Sequence, residues 1–191
     1  MGAGRLIKGI DLVGLVKSLR VARSDNRLQG LDPSDLELID QRVLLSNWYP
    51  LDHFRRVLLL NHRHIQGGTN EAARAMGEFG AKTALEGAHS VFLHPGDPLQ
   101  TLRGMATIWS AHFNFGEINV HVDGNTVRVV VQGYDDMEVL HGTLLFGWIT
   151  KAAELAGAQI ETSKIEESPW HGADCLVVMM RLGSLEPTRP S

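Results

Sequence analysis

The stretch "SPWHGADCLVV", residues 168–178, sets Trp170, His171, Asp174 and Cys175 within eleven positions, and Cys175 is the only cysteine in the chain. A thiolate beside an imidazole and a carboxylate would suit metal binding or redox chemistry. One cysteine, however, excludes an intrachain disulfide and every multi-cysteine zinc motif. Glu166, Glu167, His171 and Asp174 could supplement it, but that combination is atypical for zinc. The residue types fit a plainer reading better: a Ser-Pro turn, an apolar Trp170 covering the end of a sheet, and Cys175 as a small buried hydrophobe.

Other candidates are spread along the chain. His62 and His64 stand two apart, which points them to different sides of a helix, so both read as solvated surface. "WSAHFNFG" brings Trp109, His112 and Phe113 close on one helical face. They form either a core around one satisfied histidine or the aromatic wall of a ligand cavity. Further along, His141, Gly142, Phe146, Gly147 and Trp148 share one helical stretch. A glycine inside a helix costs about 1 kcal/mol relative to alanine. Gly142 and Gly147 therefore signal a close backbone approach, by a packed element or by a ligand.

The expected ligand site is Trp109, His112, Phe113, His141, Gly142, Phe146 and Trp148. Its ligand should be small, mostly apolar and uncharged, since no Arg or Lys lies on the apolar face of the 137–156 helix. The alternative is that the same aromatics fill a core and the protein is an interaction module acting as a homodimer. No Gly-x-Gly-x-x-Gly, P-loop or Gly-x-Ser-x-Gly is present, and no triad can be defended from spacing, so nothing specifies an enzyme.

Composition sets the frame for these residues. With 191 residues, 43% hydrophobic and 21% charged, the chain has material for a sizeable core. A net charge of −4 without a basic stripe argues against nucleic-acid binding. No apolar run approaches the ~20 residues that cross a bilayer, and the start lacks a signal core, so a cytoplasmic protein is expected. One α+β domain over 1–183 and a flexible tail over 184–191 are expected.

The elements that must position the candidates follow from periodicity. "LIKGIDLVGLVKSL" places Leu6, Ile10, Val13 and Val16 on one helical stripe. "DPSDLELIDQRVLL" opens with Asp32 as N-cap and Pro33 at the first helical position. "YPLDHFRRVLLLNHRHI" turns Leu51, Phe54 and Leu58 inward, and Thr69 or Asn70 caps the Ala-rich helix that follows. After "HPGDP" a further helix runs through Leu102, Met105, Ile108 and Trp109.

At Glu117 the period changes from helical to alternating. Ile118, Val120, Val122, Val127, Val129 and Val131 all fall on one face if the hairpin turn has two residues, at Asp123-Gly124 or Gly124-Asn125. A helix from near Met137, capped by Asp135 or Asp136, ends at Gly157. A second hairpin follows, whose apolar arm "DCLVVMMRL" reads as a central strand. The expected fold is α+β: N-terminal helices, then a four-stranded antiparallel sheet (β-β-α-β-β) crossed by a helix.

On "LHGTLLFGWITKAAELAG", "HGADCLVVMM", "NWYPLDHFRRVL" and "MGEFG" the chain resembles a superfamily of ligand-binding domains. Its members are the four-vinyl reductase proteins, the haem-nitric-oxide/oxygen-binding (H-NOX) domains and the TRAPP vesicle-tethering subunits. The whole chain also looks like a family of myxobacterial proteins of similar length. The resemblance implies a sensory or scaffold role and a homodimer. H-NOX domains hold haem through a helical histidine before the sheet and a Tyr-x-Ser-x-Arg motif on the strands. Here the corresponding helical positions are Met105, Ala106 or Thr107, and "TVRVVVQGY" lacks the motif. Four-vinyl reductase domains bind zinc through cysteines, of which Cys175 matches only the last. No haem, zinc or other cofactor is therefore expected.

Overall fold

Glu117 marks the change from helix to sheet in space as it does in sequence. The structure, a computed structural model, describes residues 4–183, so the tail expected over 184–191 lies outside the described residues. The described chain is α+β, with helices preceding a four-stranded antiparallel sheet. The described residues divide into two compact units: residues 4–72 with 111–115, and residues 73–110 with 116–183.

The first unit begins with strand β1 (Leu6–Lys8), helix α1 (Gly9–Ser24) and helix α2 (Pro33–Asp40). Strand β2 (Trp48–Pro50) and helix α3 (Leu51–His64) follow. β1 pairs antiparallel with β2, Ile7 opposite Tyr49. The expected stripe on α1 is corrected here. Leu6 belongs to a strand and Ile10 is 38% exposed, while Leu12, Val16 and Leu19 are buried. Aliphatic residues occur on every side of residues 6–16, so pattern alone could not choose the inward stripe. α2 starts at Pro33 after Asp32 as expected, although it is the Asp32 carbonyl that accepts from the Asp35 and Leu36 amides.

The second unit holds most of helix α4 (Asn70–Leu85) and helix α5 (Pro98–His112). Strands β3 (Glu117–Asp123) and β4 (Thr126–Gln132), helix α6 (Val139–Leu155) and strands β5 (Ile160–Glu167) and β6 (Leu176–Leu182) complete it. Ala72 N donates to Thr69 Oγ1 at 3.1 Å, making Thr69 the cap of α4. The face of α5 is the expected one: Leu102, Met105, Ile108 and Trp109 are all buried.

The sheet order is β3-β4-β6-β5, all pairs antiparallel, with β6 central. Ile118 faces Val131, Val120 faces Val129 and Val122 faces Val127, which puts all six aliphatics on one face. The turn is Gly124-Asn125, with the left-handed φ of +55° on Gly124, where a side chain would be strained. α6 starts two residues later than Met137, after Glu138 rather than after Asp135 or Asp136. Its end is as read: Ala156 is the C-cap, and Gly157 follows at φ +96°.

Candidate functional site

His141 is the most enclosed of the candidate polar groups. It sits in the first turn of α6 at 3% exposure, and its Nδ1 shares a 3.0 Å hydrogen bond with the hydroxyl of fully buried Tyr134. The two rings meet edge-on at 5.3 Å. Gly133, at φ +70°, directs the chain from β4 into Tyr134. An imidazole and a phenol enclosed together offer donor and acceptor capacity at one point of the interior. Tyr134→Phe should cost about 1–2 kcal/mol by removing one hydrogen bond to a buried imidazole, measured by urea unfolding. The sequence reading missed Tyr134, although a tyrosine seven residues before His141 and just after a turn glycine is the available signal.

Gly142, one position on, lies under an indole. A Cβ there would collide with the six-membered ring of Trp170 and sit 3.5 Å from the Met137 sulfur. Trp170 therefore packs on α6. Gly147 is approached instead by the backbone of α4 at Arg74. Both helical glycines are thus occupied by protein atoms, the close-packing alternative of the sequence reading.

The aromatic candidates have distinct environments. Trp109 is buried at 4%, Phe146 lies beneath the Arg74 guanidinium at 5.0 Å, and Trp148 packs on Leu85, Ile108 and Ala152. His112 and Phe113 belong to the first unit. His112 Nδ1 donates to Asp11, 2.9 Å from each carboxylate oxygen. Phe113 bridges Ile7 through the backbone and stacks edge-on with Phe115 at 5.6 Å. Asn114 extends this clamp, accepting from Leu6 N at 2.6 Å. The expectation for His62 is corrected: it is buried, and its Nε2 donates to the Thr69 carbonyl at 2.8 Å.

The segment that looks most chemical in sequence is structural. Ser168 is buried and its Oγ lies 2.9 Å from His171 Nδ1 across a 3-10 turn over Pro169–His171. Cys175 is half-buried, with its thiol 3.8 Å from Glu167. Burial pushes that thiol up from its ordinary pKa, and the Glu167 carboxylate adds to the effect, so it is a poor thiolate. Among the described residues no group of three or more His, Cys, Asp or Glu could hold a metal ion.

No family model matches the chain, and no curated protein matches it in sequence. Solved structures do match it in fold. An oxygen-binding H-NOX domain related to soluble guanylate cyclases, in its oxygen complex, superposes at TM-score 0.64 and 16% identity, covering 97% of this chain and 98% of that one. An H-NOX protein from S. oneidensis in the Fe(II)NO state gives 0.65 and 15%, over 93% and 100%. A mutant of T. Tengcongensis H-NOX gives 0.64 and 16%, over 95% and 100%. The chain has the H-NOX fold.

The residues present do not fit the haem that this fold family implies. The one imidazole on α5 is His112 at its last position, already held by Asp11. Of the three expected ligand positions, Met105 is buried and offers only a thioether, while Ala106 and Thr107 are exposed. β4 reads TVRVVVQ, with no Tyr-x-Ser-x-Arg. An axial ligand and a propionate clamp are the protein's main holds on a haem, and neither is supplied. Among the described residues no helix is long and apolar enough to cross a membrane.

Proposed function

We propose that this chain is a non-enzymatic, cytoplasmic small-molecule-binding or sensory domain that uses the H-NOX fold without haem. One observation carries the reading: the fold likeness extends over 97% of the chain, yet α5 presents no imidazole but the Asp11-bound His112. In the second unit the ligand is small, mostly apolar and uncharged. Trp109, Phe146 and Trp148 supply apolar wall, and the His141–Tyr134 pair supplies one directional polar contact, the sparse decoration usual for such sites. Gly142 enters through Trp170, whose indole would swing aside to open the helix backbone. His112 and Phe113, of the same expected set, offer an imidazole and an aromatic wall within the first unit.

Native mass spectrometry of the purified chain, joined to a haemin titration, tests this reading. The expected result is a retained small organic mass and no Soret band of one-to-one stoichiometry. A stoichiometric Soret complex would overturn the haem-free assignment.

A second reading is an interaction module working as a homodimer, as the resemblance to TRAPP subunits and four-vinyl reductase proteins suggests. The filling of Gly142 by Trp170 supports it, as do Ile10, Leu44, Leu45 and Trp48, which stand 38–56% exposed on the first unit. Solution scattering at micromolar concentration should then return a dimer mass, and a monomer carrying no ligand would remove both readings.

A further inference from the structure

Ser34, Glu37 and Leu38 of α2, with Gln41 at its C-cap, stand at the spacing of one helical stripe beside the buried Asp35 and Ile39. With His53 of α3 they line an open groove of about 380 Å³ in the first unit. That volume lies in the range of small-molecule sites. Charge is distributed unevenly around it. Asp35 is doubly hydrogen-bonded by Arg56, which also reaches Asp32 at 3.8 Å. Asp40 is held by Arg23, and Arg20 donates to the carbonyls of Ile39 and Gln41. Asp52 pairs with Arg55. Glu37 alone among the α2 carboxylates has no cation within ion-pair distance among the described residues.

A second observation lies in the opposite wall. His53 Nδ1 is buried and has no hydrogen-bond partner. Buried polar atoms are almost always paired, and an exception commonly marks an absent ion, water or ligand.

We propose that this groove binds a small organic cation, a primary ammonium carrying a short apolar segment. Glu37 supplies the counter-charge, and Ser34 and Gln41 accept the remaining N–H bonds. Leu38 receives the apolar segment, and the His53 imidazole gains a polar neighbour when the groove fills. The Asp35–Arg56 pair ties α2 to α3 beside the groove and keeps its walls in place. The site is separate from the apolar one proposed in the second unit and does not depend on it.

The test is amide NMR of the full chain titrated with n-butylammonium chloride, n-butanol and sodium n-butyrate at matched ionic strength. Butylammonium should shift the amides of residues 34–41 and His53 saturably at millimolar concentration, and the alcohol and the carboxylate should not. Glu37→Gln, at an exposed position that leaves packing intact, should weaken the binding by about tenfold or more. Equal responses to all three probes, no saturable shift at these amides, or unchanged binding by Glu37→Gln would each overturn the proposal.

Discussion

Gly77→Ala and Gly147→Ala should each destabilise the second unit by roughly 2–4 kcal/mol, whereas Gly80→Ala on the same helix as Gly77 should stabilise it by about 0.5–1 kcal/mol. The contrast comes from what a Cβ would meet. At Gly77 it would collide with the Leu144 carbonyl and lie 2.9 Å from Trp148 N. At Gly147 it would collide with the Arg74 carbonyl and lie 3.1 Å from Arg74 Cα. Each glycine therefore receives the carbonyl three residues before the other, a reciprocal contact between α4 and α6.

Both obstacles are helical backbone, which cannot swing away as a side-chain tip can. The added methyl must push two hydrogen-bonded helices apart, and the spreading strains the packing around them. At Gly80 the nearest atoms are Trp148 Cδ1 at 3.6 Å and Nε1 at 3.9 Å, ordinary contact distances. There alanine only removes backbone entropy from the unfolded chain. Urea unfolding of the three variants measures the difference. Gly77→Ala and Gly147→Ala both behaving like Gly80→Ala would mean that the helices do not approach closely.

Legibility in the sequence followed the range of the forces involved. The β3–β4 hairpin was readable in its strands, its inward face and the two-residue length of its turn, because alternation acts within sixteen positions, but the choice between Asp123-Gly124 and Gly124-Asn125 came only from the pairing. The inward face of α5 and the central place of β6 were readable for the same reason. β1 and β2 were not, since three-residue strands separated by α1 and α2 form only through tertiary pairing. The late start of α6 was missed because Asp135, Asp136 and Glu138 all suit a first turn.

The candidate site was legible in part. His141 was found, but Tyr134 and Trp170 were not assigned to it, and Trp170 reaches Gly142 from 28 positions away in the chain. Gly147 was seen as a close approach, yet nothing in sequence named α4 as the partner. The α2 groove stayed hidden because a polar helical stripe reads as solvated surface until His53 stands opposite.

In the first unit, Arg56→Met should lower stability by about 2 kcal/mol near neutral pH, and this loss should shrink on acidification. Asp35 is only 2% exposed, and Arg56 donates to its two oxygens at 2.5 and 2.6 Å. Those hydrogen bonds hold its carboxyl below the usual carboxylate range, against the opposing effect of burial. A carboxylate depressed in the folded state adds stability above its unfolded pKa near 4, and loses it as pH falls through the lower folded value.

Removing Arg56 leaves a buried anion unpaired, which is worse than removing both charges. The guanidinium is 38% exposed, so the loss is set toward the lower end for buried pairs. The double variant Asp35→Asn, Arg56→Met should accordingly recover stability relative to Arg56→Met alone. Urea unfolding of the parent, both single variants and the double variant, each at neutral pH and near pH 3, gives the coupling and its pH dependence together. A coupling near zero at neutral pH, or one unchanged by acid, would show that the pair does not hold α2 to α3.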